Sequence, residues 1–402
     1  MKVVQVNAIY GSKSTGTIVR EIQLCSEQHG IEGYVAYSIS NIPKSLITKG
    51  YRIGNKMTAK WHALYSRVIG KQAYANRITT WFFLCWLDKI NPDIVHLHNL
   101  HSNYIHLNML LRYLAKHDIA TIITMHDCWY FTGGCMHYAS NGCDKWKSGC
   151  GNCPIWKKLP SLFFDRTHEV LADRKKYLNS IPRLKIVGCS EWIANEGRQS
   201  FLRGGDITFI HNGFDLNIFS PTETHKRKKL GLEKKFVIIG PASKWLLPVN
   251  KPTLDYFTSN MVEDMVLVLF GGSGNASMLP SNVHLLGYTK DPKEMAEIYS
   301  MADVMVNCSR EDTLSSINLE CQACGTPVVA YDNTGVRETI EEKCDLAVAT
   351  GDYEDLFSKV KKVKEKGKDA YSEQCRVWIL ANYEKNNSYI KYIQLYHKKK
   401  KK

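Results

Sequence analysis

The stretch with the strongest chemical pattern is Arg310-Glu311-Asp312-Thr313-Leu314-Ser315-Ser316-Ile317-Asn318-Leu319-Glu320, running on through Ala323-Cys324-Gly325-Thr326-Pro327 into Val328-Val329-Ala330. The segment 303–307 before it is apolar and β-branched enough to be a buried parallel strand, and a helix is predicted to begin near Ser315. A loop at the carboxyl end of such a strand, opening onto a helix N-terminus, is where open α/β sheets take ligands. The amides of Ser315 and Ser316 and the positive end of the helix dipole suit an anion there. Asp312 would stand at the mouth of this loop, with Glu320 two turns into the helix.

Three further groups of residues have reactive side chains. His126 follows the predicted strand 119–125, at the end where a cleft would lie. His96, His98 and His101 look like a metal set, but their place on a strand and its following loop favours structural roles. Cys135, Cys143, Cys150 and Cys153 supply four thiolates, the number that a closed tetrahedral zinc site uses, and the Cys150-Gly151-Asn152-Cys153 half is the tighter signal. Reduced thiols packed in a loop, or a redox pair, are the alternatives. A catalytic metal is not expected, because four thiolates leave no open position and no Asp-x-Asp pair is evident.

These residues need elements to hold them, and the chain alternates strand and helix patterns throughout. Residues 2–6 read as a strand, followed by a Gly- and Ser-rich connection that includes Gly16 and a helix from about Thr17. Further strands are predicted at 33–39, 94–98, 119–125 and 184–189. The pattern restarts with strands at 236–240, 266–270, 283–286, 303–307, 328–331 and 346–349. Such alternation implies parallel sheets with right-handed crossovers. A chain of 402 residues is long for one core, and the reading is an N-terminal Rossmann-like domain at 1–218 with a Cys-rich insertion at 128–154. A second domain follows at 219–375, then a terminal helix and basic tail at 376–402.

Hydrophobic residues at 44% and charged residues at 23% are those of a globular protein. No apolar run reaches the ~20 residues that span a bilayer, and residues 1–6 enter a strand directly, so a cytoplasmic location is expected. The formal charge of +14 includes the lysines of 398–402 and of 359–368. These fit either a solvated surface or attraction to an anionic membrane. No nucleic-acid motif accompanies the charge, so nucleic acid is not expected as a partner.

The 312–330 stretch resembles the donor-site signature of the large retaining glycosyltransferase family that includes sucrose synthase, glycosyltransferase family 4. The elements Asp93-Ile94-Val95-His96-Leu97-His98, His126-Asp127 and Asn212-Gly213-Phe214-Asp215 are similar to that family's as well. The resemblance implies the GT-B fold, two Rossmann-like domains whose parallel sheets face across a cleft. It also implies sugar transfer, with retention, from a nucleotide sugar (UDP- or GDP-linked) to a hydroxyl of a glycan or lipid-linked acceptor.

By the same resemblance, Glu320 would accept the ribose hydroxyls and Asp312, with Thr313 and Leu314, would meet the donor sugar. Lys251 and Lys244 or Ser243 would hold the diphosphate, with Ser315 and Ser316. Gly271 and Tyr288 would line the nucleotide side, Gly16 would let backbone approach the sugars, and His126 would line the reaction centre. Asp312 stands where the family usually has Glu, and the arginine that usually follows Gly240 is missing. A catalytically inactive GT-B scaffold, a basic membrane- or nucleic-acid-binding protein, and a GT-B epimerase are the alternatives. The Cys-rich insertion is similar to that of members that assemble bacterial capsule, exopolysaccharide and lipopolysaccharide O-antigen.

Overall fold

A computed structural model describes residues 1–159, 162–273 and 279–400. The chain divides into two compact units, Met1–Asn212 with Asn386–Lys402, and Gly213–Lys385. The predicted strands all form, most within a few residues of their expected ends, because each is a short apolar run between turn-forming residues.

In the first unit β1 (Lys2–Tyr10), β2 (Glu32–Ser40), β3 (Gly50–Arg52), β4 (Ile94–Leu97), β5 (Ala120–Met125), β6 (Leu184–Gly188) and β7 (Asp206–Phe209) pair in the order β3-β2-β1-β4-β5-β6-β7. Every pairing is parallel. Strand order reverses between β1 and β4, which is the switch point where such sheets open a crevice. Helices α1 (Lys13–Gln28), α2 (Lys56–Ile69), α3 (Arg77–Ile90) and α4 (Leu107–Lys116) connect the first strands.

The second unit repeats the plan. Strands β8 (Phe236–Pro241), β9 (Met265–Phe270), β10 (Val283–Leu285), β11 (Val304–Asn307), β12 (Val328–Asp332) and β13 (Ala347–Ala349) are ordered β10-β9-β8-β11-β12-β13, again all parallel. Its switch point lies between β8 and β11. The architecture is therefore α/β of the GT-B type, two Rossmann-like sheets of seven and six strands.

The terminal helix differs from expectation in two ways. It is two helices, Asp369–Asn382 and Lys385–Lys400, interrupted at Tyr383-Glu384, where Glu384 forms a β-bridge with Phe214. The first of the two stays with the second unit, whose Glu338 carbonyl accepts the Tyr383 hydroxyl proton. The second belongs to the first unit, and Tyr389, Tyr392, Ile393 and Tyr396 are buried against Val3, Ile22, Ile94 and Ile122. The terminal lysines are not a loose tail as far as Lys400. Lys399 pairs with Asp206 at 3.7 Å and Lys400 with Asp93 at 3.5 Å, while Lys401 and Lys402 lie outside the described residues. Likewise Lys359 and Lys362 both reach Asp345, at 2.8 and 3.0 Å, so part of the basic run is engaged in surface pairs.

Tyr396 contributes both apolar area and a 2.7 Å hydrogen bond to Nδ1 of His96. Tyr396→Ala is expected to cost the first unit about 3–5 kcal/mol. Tyr396→Phe should cost about 1–3 kcal/mol, by leaving the buried imidazole nitrogen unpaired. Urea titration monitored by circular dichroism measures both.

Candidate functional site

The loop after β11 is fixed by side-chain amides, because a buried turn must satisfy its own polar groups. Asn307 Nδ2 donates to Ser315 Oγ at 3.1 Å and to Asn318 Oδ1 at 2.8 Å, and its Oδ1 accepts the Ser309 amide at 3.0 Å. Asn318 Nδ2 in turn donates to Thr339 Oγ1 at 2.8 Å. From the other side, Thr334 Oγ1 accepts the Asp312 amide at 3.0 Å, and the Gly335 amide donates to the Asp312 carbonyl at 2.9 Å. A Cβ on Gly335 would lie 1.9 Å from the Thr313 carbonyl oxygen, so only glycine allows this approach. Thr313 and Leu314 are buried in the loop, while Asp312 and Ser316 are half-buried.

Ser315 begins the helix Ser316–Ala323 with extended backbone, and its side chain makes no cap to the helix. Its hydroxyl is engaged by Asn307 instead, so no side-chain cap occupies the first-turn amides, an arrangement that suits an anion. Glu320 sits within this helix with Tyr299 Oη donating to its Oε2 at 3.0 Å. Burial among protein groups pushes the carboxyl up to about 7, while the Tyr299 bond pulls in the opposite direction. Tyr299 is itself locked between Phe219 and Phe270, with centroids at 6.3 and 5.8 Å. Nothing in the sequence pattern marks Tyr299, which occupies an ordinary apolar helix position.

Lys251 is exposed, and its ammonium pairs with Asp255 one turn along the same helix at 2.5 Å. Ser243 is exposed and Lys244 half-buried in the short helix Ala242–Trp245 after β8. Arg310, a motif residue without an assigned role, reaches back to this same segment. Its Nε donates to Asn250 Oδ1 at 3.2 Å and its Nη2 to the Val249 carbonyl at 3.3 Å. Asn250 Nδ2 donates to the carbonyls of Lys244 and Cys308, both at 3.0 Å, which ties the two loops together. Lys244 and Arg310 both act electrostatically on Cys308, placing two positive groups at one end of the switch point.

Gly271, with φ +69°, turns the chain after β9, and nothing lies within 4 Å of where its Cβ would be. Gly274 of the same glycine loop lies outside the described residues. Tyr288 is 76% exposed, so it is a presented ring and not a packing residue.

In the first unit, His126 closes β5 and lies in a buried histidine column. Its Nε2 meets His98 Nδ1 at 3.0 Å, and His98 Nε2 meets Gln5 Oε1 at 3.1 Å. Burial lowers the His126 pKa to about 4, so the imidazole is neutral at physiological pH. Next to it, Asp127 Oδ2 pairs with His101 Nε2 at 2.9 Å, and Oδ1 accepts the Trp129 amide at 2.9 Å. Burial would raise the Asp127 carboxyl, but these bonds hold it below its ordinary value. His101, read from sequence as a loop residue, is thus tied to the His126-Asp127 pair. Gly16 is placed differently. It lies inside α1, which starts at Lys13, and its Cβ would come within 3.1 Å of the Ile9 carbonyl, so it seats the helix on β1.

Cys135, Cys143, Cys150 and Cys153 line one cavity of about 20 Å³, beside Gly133 and Thr167. The Gly133 amide donates to Cys150 Sγ at 3.3 Å. Burial pushes Cys135 up to about 12 and Cys150 up to about 11. All thirteen cysteines are free thiols. No group of three or more metal-ligand side chains is assembled in ligand geometry among the described residues.

Residues 58–218 match the family described as Glycosyltransferase Family 4, and residues 229–366 match Glycosyl transferases group 1. Each half of the chain thus matches a glycosyltransferase family, on a GT-B fold. It is 24% identical over 265 residues to the Escherichia coli (strain K12) protein described as a putative colanic acid biosynthesis glycosyl transferase, WcaC. That match covers 62% of this chain, and the chain spans 62% of that relative's length. Sucrose-phosphate synthase from Thermosynechococcus elongatus shares the fold with a TM-score of 0.69 at 16% identity, covering 99% of this chain and 98% of that one. Anabaena HepE, solved in complex with UDP-glucose, superposes with a TM-score of 0.63 at 13% identity, over 98% of this chain and 99% of that one.

In this GT-B fold the loop after β11 rests on an amide network that the sequence does not announce. Gly335→Ala is expected to displace the 312–315 turn and to destabilise the second unit by about 1–3 kcal/mol. Thermal unfolding followed by calorimetry tests it, with Gly287→Ala, where a Cβ meets nothing within 4 Å, as the comparison.

Proposed function

We propose that the protein transfers a sugar, with retention, from a nucleotide-sugar donor to a hydroxyl of a lipid-linked glycan during bacterial surface-polysaccharide assembly at the cytoplasmic face of the membrane. The carrying observation is the pairing of uncapped first-turn amides at Ser315 and Ser316 with the held carboxyl of Glu320. The amides match a diphosphate, and a carboxylate held by Tyr299 matches the two ribose hydroxyls. The UDP-glucose bound by the Anabaena neighbour supports a donor of that class, and the colanic acid relative supports the polysaccharide setting.

The leaving group is the diphosphate, so its developing charge is what the site must stabilise. The Ser315 and Ser316 amides do this together with Lys244 and Arg310. Lys251 would join by releasing Asp255, an exchange that costs little for an exposed pair. Asp312 accepts donor-sugar hydroxyls from a position one methylene shorter than glutamate would reach, and Tyr288 stacks on the base. The acceptor hydroxyl attacks from the face of the departing phosphate, which takes up its proton, so the C1–O phosphate bond breaks as the glycosidic bond forms. His126, neutral and anchored by His98, offers a hydrogen bond to a sugar hydroxyl and is not a required base.

A raised Glu320 pKa means that its acceptor form grows as pH climbs through about 7. UDP-glucose keeps a constant charge over this range, so its binding should tighten about tenfold from pH 6 to pH 8. In Glu320→Gln the pH dependence should vanish, and Glu320→Ala should abolish transfer with the fold retained. Isothermal titration and a donor-consumption assay test this. Full activity in Glu320→Ala would refute the donor-site assignment.

The four cysteines are proposed to hold one structural zinc. Their shared cavity has room for one small ion, and amide donation to Cys150 is what a thiolate ligand favours. Zinc would pin the 128–154 segment and take no part in transfer. Elemental analysis of the purified protein should find one zinc per chain, lost in Cys150→Ser/Cys153→Ser. Metal-free wild-type protein with unchanged melting behaviour would sink the idea.

A further inference from the structure

Helices α2 and α3 turn apolar side chains outward. In α2 only His62 and Ser66 are buried, one turn apart. At about 100° per residue the opposite side of the helix carries Met57, Trp61, Leu64 and Val68, which are 71, 68, 50 and 49% exposed. α3 buries Thr80, Phe83 and Leu87 and leaves Ile78, Trp81 and Phe82 exposed, with the last two rings in edge contact at 4.9 Å. Both inner faces converge on one support. Thr80 Oγ1 accepts the His106 amide at 2.8 Å, and His106 is also the neighbour that acts on the buried His62. On each helix the apolar side chains lie opposite its buried side. Phe163 and Phe164, also exposed, adjoin the end of α2, where the Phe163 amide donates to the Arg67 carbonyl at 2.9 Å.

The charge around this surface has one sign. From Lys56 to Leu87 there is no Asp or Glu, and there are five basic residues, Lys56, Lys60, Arg67, Lys71 and Arg77. Lys71 is occupied by Glu169 at 2.5 Å. Lys56, Lys60 and Arg67 are exposed and form a stripe along α2 beside its apolar one. A folded chain rarely leaves so many large apolar side chains together in water. A helix with Trp, Leu and Met on one side and Lys and Arg alongside fits the headgroup–acyl boundary of an anionic bilayer.

We infer that the outward faces of α2 and α3 are the surface by which this protein lies on an anionic lipid bilayer. This assigns the membrane contact to these helices, where sequence alone pointed to the terminal lysines, two of which are held by Asp206 and Asp93. The assignment concerns location and stands independently of the transfer reaction. Trp61, Trp81 and Phe82 insert between acyl chains, and Lys60 and Arg67 stay at the phosphate level.

Flotation of the full chain with vesicles tests this, using phosphatidylcholine alone and phosphatidylcholine with phosphatidylglycerol. The wild type should float with the anionic vesicles only. Trp61→Ser/Trp81→Ser/Phe82→Ser should lower the bound fraction about tenfold, with circular dichroism and UDP-glucose binding unchanged. Lys60→Glu/Arg67→Glu, a change confined to exposed charges, should remove the preference for anionic lipid. Lys398→Gln combined with loss of Lys401 and Lys402 should leave binding intact. The inference is overturned if the wild type fails to float at low salt, or if the aromatic variant floats as the wild type does. It is equally overturned if light scattering shows a dimer that the aromatic variant dissolves, which would make this face a contact between copies.

Discussion

A single side-chain amide at the end of β11 governs the loop that follows it in the second unit. Asn307 bonds to a hydroxyl, an amide oxygen and a backbone N–H that belong to three separate positions of the following loop and helix. In a buried setting each of these groups would otherwise be stranded, at a cost of about 1–3 kcal/mol apiece. The turn therefore has one arrangement that satisfies it, and that arrangement leaves the first helical amides unused. The same logic extends through Asn318 to Thr339 and Gln322, whose amide donates to the Thr339 carbonyl at 2.7 Å. The network thus fixes the loop through its own side chains.

The first unit uses burial to a different end. Its histidines lie in a low-dielectric column in which each ring is hydrogen-bonded and none is charged, His96 and His126 being held at about 3 and 4. Burial penalises a cationic imidazole there, and two adjacent cations would repel one another as well. The column thus presents a neutral, oriented group at the carboxyl end of β5, backed by Gln5 and Tyr396. Arg174 is enclosed in a similar way beneath the Cys-rich segment. It is fully buried, its guanidinium lies 3.7 Å over the Trp129 ring, and it donates to the carbonyls of Trp129 and Thr132.

The strands were legible in the sequence because a parallel strand buried on both faces is a short apolar run, and this chain has little else that looks like one. The helix that opens at Ser315-Ser316 and carries Glu320 was legible through its pattern. Tyr299, Arg310 and the pairing of His101 with Asp127 were not, since each acquires its role from a residue distant in sequence. Arg310 and Asn250 are sixty positions apart, and His101 and Asp127 twenty-six. The break at Tyr383 was hidden for a related reason. The aromatic spacing continues through it, and only the strand-like bridge to Phe214 interrupts the helix. The pairing of Lys251 with Asp255 was equally hidden, because a lysine in a motif says nothing about an aspartate one turn further on.

The helix Lys385–Lys400 completes a core whose other walls are made by β1, α1, β4 and β5. During synthesis those walls emerge first, and the entire second unit follows before Tyr389, Tyr392 and Tyr396 do. Val3, Ile22, Ile94 and Ile122 must wait with an open apolar slot while an intervening Rossmann-like sheet is made. The second unit, whose contacts are contained in one continuous segment, can close while still tethered to the ribosome; the first cannot. Vectorial translation therefore orders the assembly in reverse, and the nascent first unit is the stage at which chaperones would be needed.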